Sequence, residues 1–179
     1  MKNIVILFIS SLILFCSCTN NEPTQEISME WLYSDAGKSI GAIYRSEWID
    51  NNLLYLMDMR EPKEIRTILT LDPIAPDKIK PLIDKEKVVK NLTTLINRND
   101  TTMYLDWPSS FSSGGEYGLY IYEEDIFVLD IKSEIFIRIT DTPDKEKSAR
   151  FSPDGNQIAF VRDNDLFIYH IKKKKEKQL

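Results

Sequence analysis

Residues 151–169 constrain the fold of this 179-residue chain more than any other stretch. They read Phe-Ser-Pro-Asp-Gly-Asn-Gln-Ile-Ala-Phe-Val-Arg-Asp-Asn-Asp-Leu-Phe-Ile-Tyr. Ile158–Val161 and Leu166–Tyr169 are apolar, β-favouring runs of strand length, and the polar Arg162–Asp165 between them reads as a turn. Ser152-Pro153-Asp154-Gly155 stands in front. Pro153 presets φ for the first turn position, and Gly155 tolerates the positive φ that the turn exit needs. The segment is therefore a strand–turn–strand–turn–strand unit. One such sheet cannot bury both of its faces, so it needs neighbours of its own kind.

Two earlier stretches supply them. Glu47-Trp48-Ile49-Asp50-Asn51-Asn52 followed by Leu53–Met57 can be laid against Arg150–Val161, with Trp48 in the place of Phe151 and Tyr55 in that of Phe160. Ile65–Leu71 and Lys87–Ile96 are further strand candidates in this first unit. Ile74–Val89, holding Pro76 and Pro81, reads as loop and short strand rather than helix. The second unit, Met103–Thr140, opens on Tyr104–Pro108 and continues through a Ser/Gly loop over Ser109–Gly115. Its strand-like runs are Tyr117–Tyr122, Ile126–Ile131 and Glu134–Ile139. The third unit, Ser148–Leu179, turns at Lys172–Glu176 and begins a fourth strand at Lys177.

Trp48, Trp107 and Phe151 recur at irregular spacings near the period of roughly 40–50 residues expected for four-stranded sheets arranged radially. They are expected to fill the core between sheets. The fold class is all-β: a partial β-propeller of about three four-stranded blades, the last incomplete.

Residues 1–17 stand apart. Lys2 and the apolar Ile4–Phe15 have the pattern of an export signal, too short to span a bilayer as a stable helix. Ser17-Cys18 resembles the end of a bacterial lipobox, although Phe15 stands where Leu is usual. The resemblance implies a lipid attached to Cys18, residues 18–30 as a tether, residues 31–179 as the folded domain, and an exported protein held at a membrane of the bacterial envelope. Cys16 would leave with the signal, so no disulfide framework is possible. A net charge of -5 argues against a nucleic-acid partner.

Other patterns have simpler readings. Gly37-Lys38-Ser39-Ile40-Gly41 matches a nucleophile elbow, but no helix pattern follows and the sole histidine, His170, lies inside a strand run. His170 is expected to point outward or to sit at a blade edge. Glu123-Glu124-Asp125 and Asp163-Asn164-Asp165 read as turns, and Lys172–Lys175 as a charged turn between the last two strands. No catalytic, metal or cofactor-binding residue is assigned, and the substrate-binding residues are unknown.

Ile139-Thr140-Asp141, Ala149–Gly155 and Ile158–Phe167 together resemble the N-terminal propeller of dipeptidyl peptidase IV-like serine peptidases, in the prolyl oligopeptidase superfamily. Tyr120–Tyr122 and Ile126–Asp130 resemble its preceding strand pair. The resemblance implies an exopeptidase that removes N-terminal dipeptides or tripeptides. There the propeller gates access to an α/β-hydrolase domain that lies C-terminal to it and carries the catalytic triad. It also implies a longer propeller, so the chain is expected to be an N-terminal piece, inactive by itself. Its partners would be the remaining blades, the hydrolase domain, a peptide substrate and the membrane. The Tyr122–Asp125 segment looks like the family's amine-binding Glu motif but stands before the Phe-Ser-Pro-Asp-Gly turn instead of after it, so that role is not transferred. A second reading is a free-standing surface lipoprotein that binds protein or peptide through an open sheet edge.

Overall fold

The computed structural model describes residues 28–37, 44–50, 53–97 and 103–179. The leader, Cys18 and most of the tether lie outside the described residues. A short helix, α1 (Met29–Tyr33), begins inside the last part of the expected tether, with Ser28 accepting the Trp31 N–H at its start.

Three antiparallel four-stranded sheets follow, each a meander in which every strand pairs with the next. The first contains β1 (Tyr44–Asp50), β2 (Leu53–Asp58), β3 (Leu69–Leu71) and β4 (Lys80–Pro81). The second contains β5 (Ser110–Phe111), β6 (Tyr117–Tyr122), β7 (Asp125–Asp130) and β8 (Ile135–Arg138). The third contains β9 (Lys147–Phe151), β10 (Gln157–Arg162), β11 (Asp165–His170) and β12 (Lys175–Gln178). Among the described residues the sheets are separate and form no closed barrel. The propeller-type, all-β reading holds. The fourth strand of the third sheet begins at Lys175 rather than Lys177.

The second and third sheets repeat each other with a strict offset of 40 residues: Tyr117 and Gln157, Asp125 and Asp165, and Ile135 and Lys175 begin corresponding strands. The register repeats too. Tyr117 opposes Asp130 as Gln157 opposes His170. Alternation along the strands divides the second sheet between two cores. Tyr120, Phe127, Leu129 and Phe136 pack with Tyr55 and Met57 of the first sheet. Leu119, Ile126 and Val128 pack with Ile158, Phe160 and Tyr169 of the third.

One expectation fails clearly. Lys87–Ile96 is not a strand, because α2 (Lys85–Leu95) occupies it and part of the stretch taken as loop. Asp84 accepts the Lys87 N–H as the N-cap, and Val88 and Leu92, one turn apart, are both fully buried. The β-branched Val88, Val89, Thr93 and Thr94 gave the stretch its strand-like composition. Thr93 and Thr94 instead donate to carbonyls four residues back, at 2.6 and 2.9 Å. The helix covers the outer edge of the second sheet. Asn91 accepts the Phe136 N–H at 2.6 Å, and Lys87 pairs with Glu134 at 2.8 Å. A strand edge that would otherwise expose its ladder donors is thereby closed. The strand expected over Ile65–Leu71 shrinks to Leu69–Leu71.

Candidate functional site

The chemistry of this chain concentrates where one sheet meets the next. Trp48 lies opposite Leu54, Phe111 opposite Gly118 and Phe151 opposite Ile158. These three rings hold one position, near the end of the first strand of each sheet. Phe111 is buried under the first sheet, with the Tyr55 ring edge-on at 5.1 Å and Trp107 edge-on at 5.3 Å. Phe151 is half-buried against the second sheet. Trp48, expected in the core, is 61% exposed because no described sheet precedes the first one. Trp107 supports the core but is not the counterpart of Phe151; Phe111 is.

The turn after each ring repeats as well. In Ser112-Ser113-Gly114-Gly115 the Gly115 N–H donates to Ser112 O at 2.8 Å, and the Tyr117 N–H to the Ser112 hydroxyl at 2.9 Å. In Ser152-Pro153-Asp154-Gly155 the corresponding distances are 2.8 and 3.0 Å. Gly115 and Gly155 have φ of 70° and 69°. A Cβ on Gly115 would stand 2.7 Å from Ile49 Cγ2 and 2.9 Å from the Tyr55 ring, both in the first sheet. One on Gly155 would stand 3.1 Å from Ser112 Cβ, in the second. Each glycine thus permits both the turn and the close approach of its sheet to the one before.

Between the second and third sheets a polar network replaces apolar packing at one end. Asp125 is nearly buried and pairs with Arg138, which also reaches Asp141 at 2.7 Å. Thr140 takes the Ile126 N–H at 2.8 Å and lies 3.0 Å from Glu146 Oε2. Glu146, its side chain fully buried, accepts from Thr142 at 2.9 Å and pairs with Arg162 Nε at 2.8 Å. Arg162 then holds both Glu176 oxygens at 2.9 Å and lies over the Phe167 ring at 4.7 Å. The Glu176 and Glu146 carboxylates raise the Arg162 pKa above its already high ordinary value. A buried carboxylate is tolerable here because every oxygen is bonded and a guanidinium faces it.

An open cleft of about 410 Å³ is lined by Tyr55 of the first sheet, Gly115, Tyr117, Asp130 and Lys132 of the second unit, and Lys172 from the β11–β12 turn of the third. With Glu116 also in its lining, it offers two phenols, two carboxylates and two exposed ammonium groups, the means for polar recognition. Deeper in the second sheet, burial pushes the Tyr120 phenol well up, with Tyr122 and Asp106 adding to the effect, so it stays neutral at ordinary pH. Among the described residues no group of three His, Cys, Asp or Glu side chains could hold a metal ion.

The other sequence-singled residues fall as follows. Glu123 and Glu124 form the β6–β7 turn at positive φ, and Asp163 and Asn164 form the β10–β11 turn in the same conformation. Asp125, taken with them as solvated, is instead the buried partner of Arg138. Lys172–Lys174 make the turn before β12, and Lys175 begins that strand. His170 is half-buried near the end of β11. Gly37 is described and donates its N–H to the Ser34 hydroxyl at 3.1 Å; Lys38–Gly41 lie outside the described residues. Sequence reading missed Glu146, Arg162 and the role of Gly115. The last was within reach, since Phe-Ser-x-x-Gly occurs at 111–115 and again at 151–155.

Comparison with known proteins agrees with this geometry. The family model of the dipeptidyl peptidase IV (DPP IV) N-terminal region matches residues 120–179. No curated protein matches the chain. Among solved structures, dipeptidyl peptidase 4 from Porphyromonas gingivalis is 21% identical, with a TM-score of 0.52 over 78% of this chain and 19% of that one. A prolyl endopeptidase is 13% identical with a TM-score of 0.48, over 76% and 19% of the two chains. TolB from Acinetobacter baumannii is 15% identical with a TM-score of 0.42, over 75% and 31%. The chain thus spans about a fifth of the length of the Porphyromonas peptidase, and that likeness shows the fold. Residues 120–179 are similar to the dipeptidyl peptidase IV N-terminal region, and the three four-stranded sheets share the fold of the matched part of the Porphyromonas peptidase.

Proposed function

We propose that the chain is the N-terminal propeller portion of a lipid-anchored serine exopeptidase of the dipeptidyl or tripeptidyl peptidase kind. The observation that carries this reading is the family match over 120–179, which coincides with the strands that obey the 40-residue repeat. In this reading the propeller admits peptides to an α/β-hydrolase domain, and Cys18 carries the lipid that holds the protein at the bacterial envelope. The described residues contribute binding surface in this reading, and residues 1–179 expressed by themselves should turn over chromogenic dipeptide substrates no faster than background; turnover that survives removal of contaminating peptidases contradicts this.

Sequencing the DNA that follows the Leu179 codon tests the assignment. It is expected to encode further four-stranded sheets and then a hydrolase domain with a Ser-Asp-His triad; an unrelated gene there contradicts it. Radiolabelled palmitate fed to the bacterium should enter the wild-type protein and not Cys18→Ser. Label in both, or in neither, removes the anchor from the proposal.

A further inference from the structure

We infer that the end of the sheets bearing the β7–β8 and β11–β12 turns is a docking surface for an anionic phospholipid membrane, engaged by Lys132 and Lys172–Lys174 with Ile74 as an apolar tip. In an antiparallel meander, successive turns lie at alternate ends of the sheet. Glu123-Glu124 and Asp163-Asn164, in the β6–β7 and β10–β11 turns, therefore share one end of the second and third sheets, and the lysine turns share the other. Both lysine turns reach one place, since Lys132 and Lys172 line the same cleft. Charge is thus separated along the strands, with carboxylates at one end and ammonium groups at the other. The imbalance is large: the side chains of residues 172–179 carry +4, against -9 for the rest of a chain whose total is -5.

The β11–β12 turn does not itself need a run of lysines. Lys132-Ser133-Glu134 makes the same turn 40 residues earlier, and Glu134 and Lys174 share one left-handed conformation, at φ of 58° and 50°. Glu134 is paired with Lys87, whereas Lys132 and Lys172–Lys174 are exposed and make no ion pair among the described residues. Asp72, Asp130 and Asp154 accept hydrogen bonds within their own turns, and none of them touches a turn lysine. The run therefore repels itself until an anionic partner faces it. By the same alternation the β3–β4 turn of the first sheet falls at this end. Its Ile74 is 83% exposed yet fixed, because the Ile74 N–H donates to Asp72 Oδ1 and the Ala75 N–H to Asp72 O, both at 2.9 Å. Ammonium groups with an apolar tip suit a headgroup layer, where phosphates meet the lysines and the isoleucine enters between them. An extended anionic surface also orients the whole charge separation, with the carboxylate end turned away, as a small anion would not. The inference rests on the reading above for its setting only: a lipid on Cys18 would hold this end within reach of headgroups.

The full chain carrying Cys18→Ser, and hence no lipid, is mixed with phosphatidylcholine vesicles made with or without phosphatidylglycerol, and binding is read by flotation. The anionic vesicles are expected to bind it about tenfold or more tightly than the neutral ones, and the difference should vanish between about 50 mM and about 500 mM salt. Replacing Lys172, Lys173 and Lys174 together by Gln should remove most of that difference. Ile74→Ser should weaken binding about threefold and leave its salt dependence unchanged. A charge-matched variant with Gln at Lys63, Lys145 and Lys147, which lie toward the carboxylate end, should bind as the parent does. All of these positions are exposed, and each variant should melt within a few degrees of the parent. Equal binding to both kinds of vesicle overturns the inference. Equal losses in the two triple variants do so too, since binding would then follow net charge and not this end of the sheets. Self-association at low salt without vesicle binding also overturns it, by making the carboxylate end of a second copy the partner. None of these outcomes depends on acylation of Cys18 or on the downstream DNA, so this inference and the peptidase assignment stand or fall separately.

Discussion

Gly114 and Gly115 are adjacent, both at positive φ, and yet face opposite surroundings. A Cβ on Gly114 would meet nothing within 4 Å, whereas one on Gly115 would strike Ile49 and Tyr55. Gly114→Ala is therefore expected to cost only the left-handed backbone penalty, about 1 kcal/mol. Gly115→Ala adds an overlap with the neighbouring sheet and should cost about 2–4 kcal/mol, read by urea unfolding. Equal costs would mean that the two sheets do not meet there. Asp154 carries a second residue-scale test. Hydrogen bonds from the Ser152 hydroxyl and Asn156 lower its pKa from 3.8 to about 2. A carboxylate depressed by folding stabilises when ionised, so its contribution is complete above pH 3.8 and is lost as pH falls through about 2. The melting temperature of the wild type should exceed that of Asp154→Asn above that range, and the gap should close on acidification. A constant gap would show that the turn does not depend on the charge. The turn itself was legible in Ser-Pro-Asp-Gly because proline and glycine act locally. The buried Glu146–Arg162 pair was not legible, because its partners come from different elements and share no spacing.

At the scale of elements, strands with strong alternation or long apolar runs, β6, β7, β10 and β11, could be read from composition. The short ones could not. Ser110–Phe111 lay hidden in a Ser/Gly-rich stretch, since two residues carry no period and the strand exists only through its pairing with β6. Helix α2 was concealed for a different reason: its β-branched residues outweigh, in composition, the Asp84 N-cap and the Val88/Leu92 spacing. Its worth to the fold lies in the edge it covers. Asn91→Ala should leave the Phe136 N–H without its acceptor and destabilise the protein by about 1–3 kcal/mol, with faster exchange at Phe136 in particular. Unchanged exchange at Phe136 would show that α2 does not protect this edge.

At the scale of the whole molecule, the aromatic position shared by Trp48, Phe111 and Phe151 explains both the core and its open end. Where a sheet precedes, the ring is covered; at the first sheet it stands in solvent. The irregular spacing from Trp48 to the later rings comes from α2 and its flanking loops, inserted between the first and second sheets, while the later spacing is strict. The radial arrangement of separate sheets is tested most directly by nuclear Overhauser contacts in the isotope-labelled chain. Contacts are expected from the Tyr55 ring to the Gly115 α-protons and from Ser112 to Gly155, with no amide ladder joining β4 to β5 or β8 to β9. Continuous cross-strand contacts linking those edges, with the Tyr55–Gly115 contact missing, would contradict the account.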